Sequence, residues 1–479
     1  MTQEQAKKFK YWQYRTIGAT MIGYALFYFV RKNFSFAIPG LAAEYGISNT
    51  SFGIIMTVVG LIYGLSRFLN GLLADRMNGR YHMSIGLLLC VLASFAFGFS
   101  PTILGIELGV APHSLVVLFG VLLVLNNIFQ GSGFPPCARL LSHWIPPHEL
   151  ATKMSVWNTS HSIGASLLAI LCGYVMGSMG SDMTGNAEAV EAIRTNLTTL
   201  NPALLESPEL LNEKVMDAAA HVGAWQWCFW VPALFALAGV VGLFVFLRDT
   251  PKSVGLPELA GTHTKVENNT NSAEYKAFLR EKVFRNPLIW ILAFANFFVY
   301  VVRFAVLDWG PKFLQEARGL EPADAGWIIA VSEIMGIVGM LVAGWATDKF
   351  FKGRAHRTCV FCMLGAATFM TIFYFLPGTS PVVMLAGVLG MVGFFIYGPQ
   401  ALLGVVATKQ ATKKAASSAV GLIGFMSYLS VIITGAGLGW FSDTFGWDYL
   451  FILMAGFALV GGIIVTSLWN IKDDGYIHD

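Results

Sequence analysis

Long apolar runs alternate with short polar interruptions along the whole chain. A helix rises 1.5 Å per residue and needs about 20 apolar residues to cross the hydrocarbon core of a bilayer. Runs of that length fall at roughly 16–40, 53–75, 82–101, 114–138, 154–178, 225–247, 287–312, 325–348, 358–377, 382–407, 416–441 and 448–470. The pattern predicts an all-α membrane protein with twelve transmembrane helices. Residues 1–15 are polar and lead into a full-length span, so no cleavable signal peptide is expected. The longest outer loop, about 180–222, carries two short amphipathic stretches, Ala187-Glu-Ala-Val-Glu-Ala-Ile-Arg194 and Glu209-Leu-Leu-Asn-Glu213.

Composition agrees. Of 479 residues 55% are hydrophobic and 12% charged, against about 25% charged in soluble domains. The net charge of +3 says little; its distribution sets topology. Lys7, Lys8, Lys10 and Arg15 precede the first span, Arg76 and Arg80 follow the second, Lys349, Lys352, Arg354 and Arg357 the eighth, and Lys409, Lys413 and Lys414 the tenth. The loops around 41–50, 102–113, 378–381 and 442–447 hold no Lys or Arg. The positive-inside rule puts both termini in the cytoplasm.

Two patterns occur twice. Tyr28-Phe-Val-Arg31 returns as Tyr300-Val-Val-Arg303, 272 positions later, and Gly71-Leu-Leu-Ala-Asp75-Arg76 returns as Gly344-Trp-Ala-Thr-Asp348-Lys349, 273 later. An internal duplication follows: a six-helix bundle over 1–247 with the 180–222 insertion, a polar cytoplasmic linker at 248–286 whose Tyr275–Arg285 run reads as a surface helix, and a second bundle over 287–479. Parallel repeats place a transporter's substrate where the halves meet, near the bilayer midplane. Arg31 and Arg303 would then face one another.

Charges at membrane depth mark solute paths. At helical spacing Tyr24, Tyr28 and Arg31 share a face, so a guanidinium sits beside two phenols. The second span carries Tyr63 and Arg67 at i, i+4; Arg67 either snorkels or adds field to a cavity. Arg31, Lys32, Arg67 and Arg303 against Asp308 and Glu333 leave a surplus of two positive charges, which suits a phosphate ester of about −1.5 to −2. His161 is a packing residue or a ligand contact, and Tyr397 and Tyr428 are packing or cavity residues. The six cysteines lie in or beside the spans without metal spacing; Cys359 and Cys362 read as packing residues. No metal, cofactor or nucleic-acid site is expected, and no catalytic motif is present. Asn196-Leu-Thr198 is a weak match to a glycosylation acceptor.

The loop Gly71 to Arg80 resembles the hallmark of the major facilitator superfamily. Together with Val30-Arg-Lys-Asn33, Gln130-Gly-Ser-Gly-Phe-Pro-Pro-Cys-Ala-Arg139, Trp157-Asn-Thr-Ser-His161, Leu307-Asp-Trp309 and Tyr397-Gly-Pro-Gln400, the chain resembles the organophosphate:phosphate antiporter family, which holds glycerol-3-phosphate and hexose-phosphate transporters and a receptor relative. The resemblance implies exchange of an organophosphate for inorganic phosphate in a bacterial inner membrane, by a monomer, with Arg31, Arg303, Arg67 and His161 on phosphate. It implies a cavity lined by Tyr24, Tyr28, Tyr63, Tyr300, Tyr397 and Tyr428, an interdomain relay of Lys32, Asp308 and Glu333, and a structural gating motif at Gly71, Asp75, Arg76, Gly344 and Asp348. The eleventh span has Val420 and Ile423 where a typical hexose-phosphate transporter carries Asp and Lys. The alternative is a transporter-like receptor that signals to a membrane histidine kinase.

Overall fold

A computed structural model describes residues 2–74, 77–109, 111, 113–146, 153–154, 156–257, 277–447 and 449–471. These are helical apart from turns and one isolated bridge, Ser181 to Val222. The chain divides into two compact units, Met1–Thr264 with Glu321–Gly326, and Lys265–Leu320 with Trp327–Asp479.

Among the described residues ten helices are long and apolar enough to cross a membrane, and they coincide with the second to eleventh expected spans. The twelfth is the shorter apolar helix Leu450–Thr466. The first is split into Gln3–Phe29 and Asn33–Tyr45. The fourth is also broken, into His113–Gln130 and Phe134–Trp144, the second piece opening with prolines in its first turn, where no intrahelical N–H is lost. In the second unit the seventh span passes from Pro287–Phe304 through a π-helical turn, Ala305–Trp309, into Gly310–Arg318. The eleventh has a matching π turn at Ile433–Gly437, and the Trp309 indole donates to the Thr434 carbonyl at 2.6 Å. Such turns leave carbonyls off the regular ladder; here one of them is satisfied by a neighbouring helix.

Small residues let backbones approach. A side-chain carbon at Gly164 would lie 2.6 Å from the carbonyl oxygen of Ala25, which fixes the fifth span against the first. Aromatic rings pack together in the first unit, where Phe97 stacks on Phe119 and Phe229 at 4.6 and 4.1 Å between centroids.

The helix ends that carry Glu44 and Glu316 are fastened alike, each within its own unit. Glu44 accepts from Gly223 N–H at 2.7 Å and from the Trp225 indole at 3.0 Å. Glu316, again 272 positions later, accepts from the Trp447 indole at 2.7 Å. The copies differ in charge balance: Lys312 lies 3.4 Å from Glu316, whereas burial drives the Glu44 carboxyl up to about 7 against the two N–H bonds that lower it.

The 180–222 insertion is a helical hairpin, Ala187–Leu200 and Pro208–Ala220, closed over Ile193, Leu204, Leu211, Val215 and Ala219. It docks through Asn196, 2% exposed, whose amide donates to Ala43 O at 3.0 Å and Gly109 O at 3.4 Å. Gly46, at φ +64°, has no space for a side chain against that same Asn196. The glycosylation reading of Asn196 is therefore corrected: its amide is a buried structural donor.

At the opposite end Asp249 accepts from Gly79 N–H at 2.7 Å and pairs with Arg139 at 3.0 Å, while Arg139 also bonds the Met77 carbonyl. Asp75 and Arg76 lie outside the described residues, and Gly71 sits within the helix Asn49–Ala74. In the second copy a side-chain carbon at Gly344 would meet nothing within 4 Å among the described residues, and Asp348 is exposed. The chain after 248 first packs on the first unit, where Val254 and Leu256 join Phe9, Trp12 and Trp144. Tyr275 and Lys276 are outside the described residues; the expected surface helix is helical over 277–279 and continues as a π-helical turn, Arg280–Phe284.

Candidate functional site

The break in the first span falls on the cations. Helix geometry stops at Phe29 and restarts at Asn33, so Tyr24, Tyr28 and Arg31 do not lie on one continuous helical face as their spacing suggests. The side chains nonetheless gather. The Arg31 guanidinium lies over the Tyr63 ring at 3.6 Å and over Tyr28 at 5.5 Å, and Arg67 lies over Phe134 at 4.4 Å. Arg67 thus turns onto an aromatic face inside the unit rather than running outward along the helix. Tyr24 stacks on Trp157 at 4.9 Å and meets Tyr28 edge-on at 5.7 Å, and the Tyr28 ring is 5.7 Å from His161. His161 is 6% exposed, with its Nδ1 on the carbonyl of Asn158, while Lys32 is half-buried at the break.

Electrostatically this is a cluster of guanidinium groups packed on π-faces, which attract the cation without neutralising it. Two buried donors, Asn33 Nδ2 and Trp157 Nε1, have no acceptor among the described residues. Buried donors of that kind cost free energy until an acceptor arrives. Asn33–Tyr45 also starts at the break with no side-chain cap, so the positive end of its backbone dipole adds to the field beside Arg31.

The second unit repeats the theme with a counter-charge. Arg303, 7% exposed, lies 5.8 Å from the Tyr300 ring, three residues back as Tyr28 is from Arg31, and 4.8 Å from the Tyr397 ring. Its Nη2 donates to the Tyr397 hydroxyl at 3.2 Å, and that hydroxyl donates to Glu333 Oε1. The phenol therefore stands between cation and carboxylate. Glu333 keeps its second oxygen without a hydrogen-bond partner among the described residues. Arg303, Glu333, Tyr397 and Ser332 line a narrow pocket of about 10 Å³, room for about one water molecule. Asp308 is half-buried in the π turn that follows Arg303, and Tyr300 and Tyr428 are half-buried. Cys359 and Cys362 are buried in the helix Ala355–Phe375.

Phe134, Trp157, Asn33 and Gln130 belong to this constellation and were not singled out as site residues, although each lies within a motif carrying the resemblance. The available signal was polar or aromatic residues beside Gly-x-Gly and diproline breaks at membrane depth.

The sequence model described as "Major Facilitator Superfamily" matches residues 20–435. The chain belongs to the major facilitator superfamily. Similar proteins include a probable hexose phosphate transport protein of Chlamydia pneumoniae, 33% identical over 97% of this chain and 92% of that one. The glycerol-3-phosphate transporter of Bacillus subtilis (strain 168) is 33% identical over 94% and 90%, and the membrane sensor protein UhpC of Escherichia coli (strain K12) is 31% identical over 97% and 93%. These bear out the resemblance to the organophosphate:phosphate antiporter family. Among solved structures, a bacterial homolog to the human lysosomal transporter Spinster matches with a TM-score of 0.70 at 13% identity over 95% of this chain and 96% of that one. A D-xylose–proton symporter matches at 0.67 and 14% identity over 96% and 99%. At such identities the structural matches speak for the superfamily fold alone.

Proposed function

We propose that this superfamily member is a secondary antiporter, exchanging an organophosphate such as a sugar phosphate or glycerol 3-phosphate for inorganic phosphate by alternating access. The observation that carries the reading is the repeated arginine: in each unit a guanidinium sits where its span leaves regular α-helical geometry, or two residues before it does, over a tyrosine three residues earlier. Irregular helices at membrane depth are tolerated where they line a solute path. Relatives named for hexose phosphate and glycerol 3-phosphate transport support the substrate class.

In this mechanism Arg31 and Arg303 take the phosphoryl oxygens, each through charge-assisted, bidentate hydrogen bonds. Arg67 and His161 assist, Asn33 and Trp157 offer donors, and the tyrosines bound the cavity. An empty site sets two cations facing each other and resists closure, whereas a bound dianion attracts both, so turnover requires a load. Lys32, Asp308 and Glu333 act as the charge relay that reports binding to the helix packing. The protein acts as a monomer in a bacterial inner membrane with both termini cytoplasmic, and has no catalytic step.

Proteoliposomes loaded with phosphate test this. Labelled phosphate should exchange, with inhibition by glucose 6-phosphate, glycerol 3-phosphate or phosphoglycerate and none by free glucose. The 31% identity to a membrane sensor favours one second reading, a receptor signalling to a membrane histidine kinase. Saturable sugar-phosphate binding without counterflow would establish that reading instead.

A further inference from the structure

The two interruptions in the first unit meet. A continuous first span would give the Phe27 carbonyl to Arg31 N–H and the Val30 carbonyl to Phe34 N–H. Here the Arg31 N–H turns to Tyr28 O at 3.2 Å, the carbonyl that Lys32 N–H holds as its regular helical partner, also at 3.2 Å. The two released carbonyls are taken by one side chain: Gln130 Nε2 donates to Phe27 O at 3.0 Å and to Val30 O at 3.3 Å. Gln130 is 3% exposed and is itself the last residue before the break in the fourth span. Its backbone carbonyl accepts from Gly133 N–H at 3.1 Å across that break. Gly133 in turn packs on Phe27, whose ring a side-chain carbon there would approach to 3.3 Å.

Nothing local accounts for the first break. Phe29-Val-Arg-Lys-Asn33 contains neither Gly nor Pro, and the competing state is an unbroken helix, which would carry Arg31 in a different direction. Two amide hydrogens from the fourth span satisfy the carbonyls that an interrupted helix leaves open.

We infer that Gln130 is a positioning residue that holds the first span open at Val30–Lys32 and so aims the Arg31 guanidinium at the phosphate. The inference rests on the reading of Arg31 as a phosphate group; the interruption itself does not. Gln130 needs no contact with substrate to act in this way.

The test pairs Gln130→Met, of similar length but without a donor, with Gln130→His, which restores one N–H. Hydrogen exchange of the 27–34 amides is measured on the full-length protein in proteoliposomes without substrate, and phosphate KM and maximal rate are measured by labelled-phosphate exchange. In Gln130→Met the Arg31 and Phe34 amides should become more protected as the ladder re-forms, and KM should rise about tenfold with a smaller change in maximal rate. Gln130→His should recover part of both. Wild-type amide exchange in Gln130→Met overturns the inference, and so does a raised KM with unaltered amides, which would make Gln130 a direct substrate contact. If Gln130→Met does not fold, Gln130→His decides alone: an amide pattern and KM between wild type and a tenfold loss support the brace, and wild-type amides refute it. Arg31→Lys run alongside separates the two readings. If that variant keeps wild-type KM, the phosphate role of Arg31 fails while the brace stands or falls on the amides.

Discussion

Glu44 makes stability depend on pH in a direction opposite to most carboxylates. It is 4% exposed, has two N–H donors, and burial raises its carboxyl from an ordinary 4.5 to about 7. A group whose folded pKa is raised holds its proton more tightly when folded. Its contribution is complete below about pH 4.5 and is lost as pH rises through about 7. Over that window the loss amounts to about 3 kcal/mol. Glu44→Gln keeps the shape and one acceptor while removing the titration. Thermal midpoints of the purified protein from pH 5 to pH 8 should fall for wild type and stay level for Glu44→Gln, the curves lying furthest apart at the alkaline end. A Glu44→Gln protein with the wild-type pH slope would refute the assignment of that slope to Glu44.

Three further outcomes follow from the contacts. Asn196→Ala removes a buried donor from two carbonyls and should cost about 1–3 kcal/mol, with protease cleavage of the 187–220 hairpin appearing before global unfolding. Asp249→Asn unpairs Arg139 and weakens the bond to Gly79 N–H, lowering the thermal midpoint by the equivalent of about 2 kcal/mol, more than the same change at exposed Asp348. Tyr397→Phe removes the hydroxyl between Arg303 and Glu333, letting cation and carboxylate pair directly; phosphate KM should rise about tenfold with little change in stability.

Much of this architecture was legible in the sequence because membrane solvation imposes it: each span announces itself by length and apolarity, and the repeated Tyr-x-x-Arg pattern reports the duplication. The Glu44 and Glu316 pair was equally legible at the same offset of 272 and needed only the tryptophans to be read with it. The interruption at Val30–Lys32 was not, since its cause lies 100 positions away in Gln130. Spacing along one segment describes the helix that segment would form alone, and here a neighbour's amide changes the outcome. The same holds for Asn196, whose local motif suggests a surface acceptor although its role comes from carbonyls at Ala43 and Gly109. Arg67 shows the opposite limit: its position in the second span was clear, and its ring partner Phe134 comes from the fourth.

The most direct measurement is labelled-phosphate exchange by proteoliposomes carrying Arg31→Lys or Arg303→Lys, with protein amount and thermal midpoint matched to wild type. A lysine keeps the charge and loses the planar fork, so either change should reduce exchange at least about a hundredfold. Exchange near the wild-type rate in both variants would contradict a phosphate held by two guanidinium groups.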